Sequence, residues 1–201
     1  MKPLFNKTGE VVPIYQSKMT YSEWEFWRFY SDLGSGLMQI LYIVYKVTFD
    51  FDNSETLFLM CFVELEIYLA ITFKNFYKYP RPFWVFSAIT PGECSSSFGD
   101  PSGHSFCAGF IITYVYFTWI FPKYYKKGET QRIDWIILTV SFIVLISSQV
   151  LMTMSRVVQG MHSIDQTMQG SFLGIWTGFM AINLLKPIFT WYLTKLMEKP
   201  A

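Results

Sequence analysis

The stretch WIILTVSFIVLISSQVLMTM, residues 135–154, contains no charged side chain. An α-helix rises about 1.5 Å per residue, so a run of this length spans a bilayer core of about 30 Å. Residues 172–193 form a second run that meets the same length. Outward from these, residues 37–49, 57–73 and 106–121 are apolar but shorter, and the first carries Gln39 and Lys46. These three need flanking aromatic residues or a locally thin membrane to cross it. Trp84, Trp119, Trp135 and Trp191 fall at or near the ends of the runs, where interfacial aromatics collect. The pattern predicts an all-α fold, a polytopic membrane helical bundle of about five transmembrane helices.

Composition agrees. Only 15% of the 201 residues are charged while 52% are hydrophobic and 20% aromatic, whereas a soluble domain carries about a quarter charged residues. The apolar content excludes disorder, and three cysteines in so long a chain exclude a disulfide scaffold. Cys61 and Cys107 read as packing residues, and Cys94 lies in a loop. A net charge of +1 without a Lys/Arg run provides no field for nucleic acid.

Residues 1–33 read as a separate N-terminal arm, and residues 34–201 as the transmembrane domain. Within the arm, Trp24, Phe26, Trp27 and Tyr30 set against Glu23, Glu25 and Asp32 predict an interfacial amphipathic helix too charged to span. The start matches neither a secretory signal nor a transit peptide.

Two polar segments, residues 74–105 and 155–170, are separated by two spans, so both emerge on one membrane face. Each holds one of the two histidines, His104 and His162, and between them they hold Lys74, Arg81 and Arg156. Cations neutralise non-bridging phosphoryl oxygens, and an imidazole acts as nucleophile or proton carrier near neutral pH. Arginine suits phosphate because its planar fork donates two parallel hydrogen bonds. The set is what a dianionic phosphoryl group requires.

Lys74-x6-Arg81-Pro82, Pro101-Ser102-Gly103-His104 and Ser155-Arg156-x5-His162 resemble the three-part signature of the type-2 phosphatidic acid phosphatase (PAP2) superfamily. That superfamily includes lipid phosphate phosphatases, glucose-6-phosphatase and vanadium haloperoxidases. At average residue usage Pro-Ser-Gly-His arises by accident in about one such chain in a thousand. The resemblance implies a metal-independent phosphoric monoester hydrolase without a cofactor. It implies that His162 attacks phosphorus and forms a phosphohistidine, while His104 protonates the leaving alkoxide and then activates water. It implies that Lys74, Arg81 and Arg156 clamp the phosphoryl oxygens, helped by Ser102 and the Gly103 backbone N–H. Gly103 lets the backbone approach a ligand, and a helix starting near His104 aims free N–H groups at an anion. The family commonly places an acid four residues after the nucleophile to orient its ring. Gln166 stands there in this chain, with Asp165 beside it, so these two are alternative orienters. Glucose-6-phosphatase-type members are similar in placing Gln at this position.

Substrate is left open between a lipid phosphate entering from the bilayer and a soluble sugar phosphate. The rival reading is a non-catalytic structural or lipid-binding subunit of a membrane assembly. Glu64 and Glu66 lie within an apolar run, where one faces the bundle interior and pairs with a cation the sequence does not identify. Asp50-Phe-Asp52 lacks the α/β context of an aspartyl-phosphatase motif, and Lys186-Pro187 predicts a helix kink. Lys123, Lys126, Lys127 and Arg132 crowd the loop opposite the histidines, and Lys195 and Lys199 share that face. The positive-inside rule then places the histidine face outside the cytosol, in the lumen of an ER-type membrane or beyond the plasma membrane. Asn6-Lys7-Thr8 is a glycosylation sequon on the same face.

Overall fold

A computed structural model describes residues 12–49, 53–126 and 128–198. The Asn6 sequon, Asp50, Asp52, Lys127 and Lys199 lie outside the described residues. All regular structure among the described residues is helical. We number the helices α1 (Tyr21–Asp32), α2 (Met38–Phe49), α3 (Asn53–Tyr77), α4 (Pro82–Val85), α5 (Gly103–Val115), α6 (Phe121–Tyr124), α7 (Arg132–Val158), α8 (Ile164–Met180) and α9 (Lys186–Met197). Among the described residues, four helical runs are long and apolar enough to cross a membrane, over Ser54–Val85, Gly103–Tyr124, Arg132–Val158 and Ile164–Leu196, with Met38–Phe49 a shorter apolar helix. Their outer faces are apolar: Ile136, Val140, Ile143, Val144 and Val150 of α7 are all exposed. Gln39, Lys46 and Glu66 are buried instead. That inversion of the soluble pattern belongs to lipid as the solvent, and the chain is an integral membrane protein.

The amphipathic helix and the first apolar helix follow one another directly. α1 opens on a capping box, in which Glu23 Oε2 accepts from Thr20 N at 2.7 Å and Thr20 Oγ1 accepts from Glu23 N at 3.4 Å. It then passes through a π-helical turn, Leu33–Leu37, directly into α2. Gly36, at φ +92°, supplies the left-handed residue in that turn. Residues 33 and 34, where the arm gives way to the transmembrane domain, lie in this turn, which bends a helix without ending it.

Helices α5 and α8 form the centre. A β-carbon on Gly170 would meet Ser102 O at 2.5 Å, and one on Gly174 would meet Phe106 O at 2.1 Å. On Gly178 it would meet Thr113 Cβ at 2.8 Å. The ascending pairs show that the helices run parallel, and a glycine every fourth residue lets their backbones touch. Both N-termini are thus held at one end of the bundle, beside the C-terminal ends of α3 and α7, which run the opposite way. The aromatic core lies farther along, where Phe62 and Phe110 stack at 5.0 Å between centroids against Phe58 and Tyr114.

Two expectations from the sequence are sharpened here. Glu66 is the buried carboxylate, but its partner is the Gln39 amide at 2.6 Å and not a cation, while Glu64 is exposed. Lys46 and Lys186 instead converge on Glu55, at 3.0 and 2.9 Å. These pairings let a short helix carrying Gln39 and Lys46 lie in the bundle, since each polar group meets a partner on another helix. The kink near Lys186-Pro187 occurs as a π-helical turn, Ala181–Leu185, just before Pro187.

Candidate active site

Each part of the three-part motif ends or begins a helix at the same end of the bundle. Lys74 lies in the last turn of α3. Arg81 precedes Pro82 as the N-cap of α4, with the extended backbone that a residue before proline favours. Ser102 caps α5, its Oγ accepting from Ser105 N at 3.5 Å and from Ser105 Oγ at 3.1 Å. The Ser102 hydroxyl keeps its own proton for another acceptor. Gly103 and His104 are the first two residues of α5, so their N–H groups have no carbonyl within the helix. Arg156 lies in the last turn of α7, and His162 sits in the loop before α8.

These side chains converge. Arg81 Nη1 lies 3.3 Å from His162 Nε2 and donates to Met161 O at 3.1 Å. Its Nε and Nη2 donate to Ser97 O and Oγ at 2.7 and 3.0 Å. Lys74 Nζ is 3.6 Å from where Gly103 would carry a β-carbon, which sets the ammonium at the start of α5. The Arg156 guanidinium is buried and donates to Ser31 Oγ of α1, to Gln159 Oε1 at 3.5 Å and to Glu93 Oε1 at 2.7 Å. Its Nε has no partner among the described residues, so one buried donor is unused. His162 is 1% exposed. Burial, reinforced by Arg81, Arg156, Lys74 and His104, holds its ring well below the usual imidazole range and therefore neutral. Its Nδ1 lies 2.7 Å from Gly99 O. A carbonyl can only accept, so Nδ1 carries the proton and Nε2 the lone pair, facing the cations.

A family model described as the PAP2 superfamily matches residues 56–189, which contain the whole constellation. The chain belongs to the PAP2 superfamily. Its fold is similar to the crystal structure of the first transmembrane PAP2 type phosphatidylglycerolphosphate phosphatase from Bacillus subtilis. The TM-score is 0.70 at 19% sequence identity, over 94% of this chain and 89% of that one. A search of curated proteins finds no match. Superfamily membership and the transmembrane fold together support a membrane phosphatase.

Within this PAP2 site, the ring-orienting group differs from the expectation. Neither Asp165 nor Gln166 bonds to the His162 imidazole; Gly99 O does. Both side chains are drawn to the start of α8 instead. Gln166 Oε1 accepts from Ser163 N at 3.2 Å, and Asp165 Oδ1 accepts from Ser163 Oγ. These bonds satisfy a helix N-terminus, the usual task of such residues in a first turn. The structure also adds residues that motif reading missed. Ser31, Glu93, Ser97 and Gly99 reach the site from α1 and from the loop between α4 and α5. None of the four belongs to the three-part motif. Among the described residues, no group of three or more His, Cys, Asp or Glu is gathered as a metal site.

Proposed function

We propose that the chain hydrolyses a lipid phosphomonoester through a phosphohistidine on His162. The observation that carries this reading is the presentation of His162 Nε2, with Nδ1 occupied by Gly99 O, beside Arg81 and within the field of Lys74 and Arg156. In the first step the Nε2 lone pair attacks phosphorus in line. The bond to the alkoxide oxygen breaks, and His104 supplies a proton so that an alcohol leaves. In the second step His104 takes a proton from water, the hydroxide oxygen bonds to phosphorus, and the P–N bond breaks. Inorganic phosphate departs and His162 is restored. Lys74, Arg81 and Arg156 Nε balance the phosphoryl charge, with Ser102 Oγ–H and the Gly103 and His104 N–H groups as further donors. The scheme requires no metal or cofactor.

A lipid is favoured over a sugar phosphate by an apolar groove lined by Tyr30, Leu33, Met38, Ala108, Ile111 and Met152, among others. Ala108 is one helical turn below His104 and Met152 one turn below Arg156, so an acyl chain in the groove would hold its headgroup at the cations. The phosphatidylglycerolphosphate substrate in the name of the structural neighbour is of the same class. We place the catalytic face on the lumenal or extracytoplasmic side of an ER-type membrane, from the basic residues opposite it. The test is hydrolysis by the full-length protein in EDTA of phosphatidate, phosphatidylglycerolphosphate, sphingoid phosphate and glucose 6-phosphate, alongside His162→Ala. The expected result is release of phosphate from lipids, lost in the variant. Equal rates in the two proteins would remove the mechanism, and no hydrolysis in either would leave the non-catalytic reading.

A further inference from the structure

We propose that Gln166 is a positioning residue that acts on His162 through the Gly99 peptide, so that a backbone carbonyl replaces the carboxylate as ring orienter. The inference rests on the reading of His162 as nucleophile.

Gln166 ties together all three parts of the motif. Its Nε2 donates to Pro80 O at 2.9 Å, its Oε1 accepts from Ser163 N at 3.2 Å, and its carbonyl accepts from Ser102 N at 3.0 Å. The amide plane lies flat against Gly99. A β-carbon there would stand 2.7 Å from both Gln166 Nε2 and Oε1, closer than any side chain permits. Gly99 N donates to Tyr79 O at 2.8 Å, next to the Pro80 carbonyl that Gln166 also holds. The Gly99 peptide is thus pinned at its N–H, at its α-carbon and at its carbonyl, where His162 Nδ1–H arrives at 2.7 Å. Glycine at residue 99 leaves room for the Gln166 amide, which a β-carbon would push away from Pro80 O and Ser163 N. Glutamine is needed because it must donate to Pro80 O while accepting from Ser163 N, which no carboxylate can do.

The substitution Gln166→Glu separates positioning from helix capping. The variant's carboxylate would keep the acceptor for Ser163 N, the usual capping-box arrangement, but would lose the donor to Pro80 O and set a charge against Gly99. The readout is the ring tautomer of His162, in full-length protein labelled with ¹⁵N-histidine in detergent micelles. With two histidines in the chain, two imidazole systems appear, and His162→Asn assigns them.

In the wild type His162 is expected as the neutral Nδ1–H tautomer. In Gln166→Glu, and in Gly99→Ala, which drives a methyl group into the Gln166 amide, that tautomer is expected to be lost or mixed. The kcat should fall about 10- to 100-fold, the usual effect of removing an outer-shell orienting group. KM should change by less than about threefold, because binding contacts are intact. The double variant should be no worse than the poorer single one. Wild-type tautomer and kcat in Gln166→Glu would show that Gln166 is only a helix cap and would overturn the proposal. Should Gln166→Glu fail to fold, Gly99→Ala and the wild-type spectrum decide. An Nε2–H tautomer in the folded wild type overturns the proposal by itself. The tautomer is read without turnover, so its result stands apart from whether the chain hydrolyses phosphate.

Discussion

Glu93 Oε1 accepts a hydrogen bond from Arg156 Nη2 at 2.7 Å, joining a carboxylate that is 54% exposed to a guanidinium that is 2% exposed. The loop carrying Glu93 is fixed by Gly92 N, which donates to Gln159 O at 2.9 Å. A buried guanidinium without a counter-charge is costly, and Glu93 supplies that charge. A phosphoryl group held by Arg156 Nε that also takes Nη2 competes with Glu93 for that donor.

Glu93→Gln keeps the shape of the side chain and removes the competing charge. Inorganic phosphate is then expected to inhibit more strongly, with Ki lower by about tenfold, the change that about 1.4 kcal/mol produces. Inhibition of hydrolysis in parallel assays checks this. A higher Ki would mean that Glu93 holds Arg156 in its working geometry.

Gly174→Ala tests the contact that brings the two histidine-bearing segments together. The added β-carbon would lie 2.1 Å from Phe106 O, a backbone atom that moves only with α5. Destabilisation of about 1–3 kcal/mol is expected from overpacking, together with reduced activity as α5 and α8 separate. Thermal unfolding in detergent, with the hydrolysis assay, reads both. Unchanged stability would show that the helices pack less closely than described.

The neutrality of buried His162 makes stability depend on pH. Its native pKa lies well below the usual 6.5, so its contribution is full above that value and is lost as pH falls below it. Asp100 has the opposite sign. Burial, with Asp165 adding to it, raises its carboxyl to about 6, and its contribution is lost as pH rises through that value. Because Asp100 is common to both proteins, the difference in Tm between wild type and His162→Asn isolates the imidazole. Wild type is expected to lose more Tm than the variant between pH 8 and pH 5. Equal losses would contradict a buried neutral ring.

Cys94 is exposed in the same loop as Glu93 and Ser97, on the face that carries the histidines. A membrane-impermeant maleimide is expected to label it from the non-cytosolic side of intact vesicles, and Cys94→Ala should abolish that labelling. Labelling from the cytosolic side only would reverse the orientation.

Much of the fold was legible because bilayer crossing imposes long uncharged helices, as residues 135–154 show at sight. The join between α1 and α2 was not, since a glycine-bearing π-helical turn carries the polar signature of a linker while keeping the helix intact. That Lys74, Arg81, His104, Arg156 and His162 gather at one end of the bundle was legible, because the two polar segments that carry them are separated by two spans. Gly99 was hidden for a physical reason: the atom that orients His162 is a backbone carbonyl, which every residue possesses. Glu93 was hidden because its pairing with Arg156 spans 63 positions and depends on a loop path without periodicity.

The decisive measurement is trapping of the phosphoenzyme from ³²P-phosphatidate by an alkaline SDS quench, in EDTA, with wild type, His104→Ala and His162→Ala. An acid-labile, base-stable label is expected on wild type. His162→Ala should show neither label nor turnover, and any label on His104→Ala should be hydrolysed slowly. Hydrolysis of phosphatidate by His162→Ala at the wild-type rate would rule out His162 as the nucleophile.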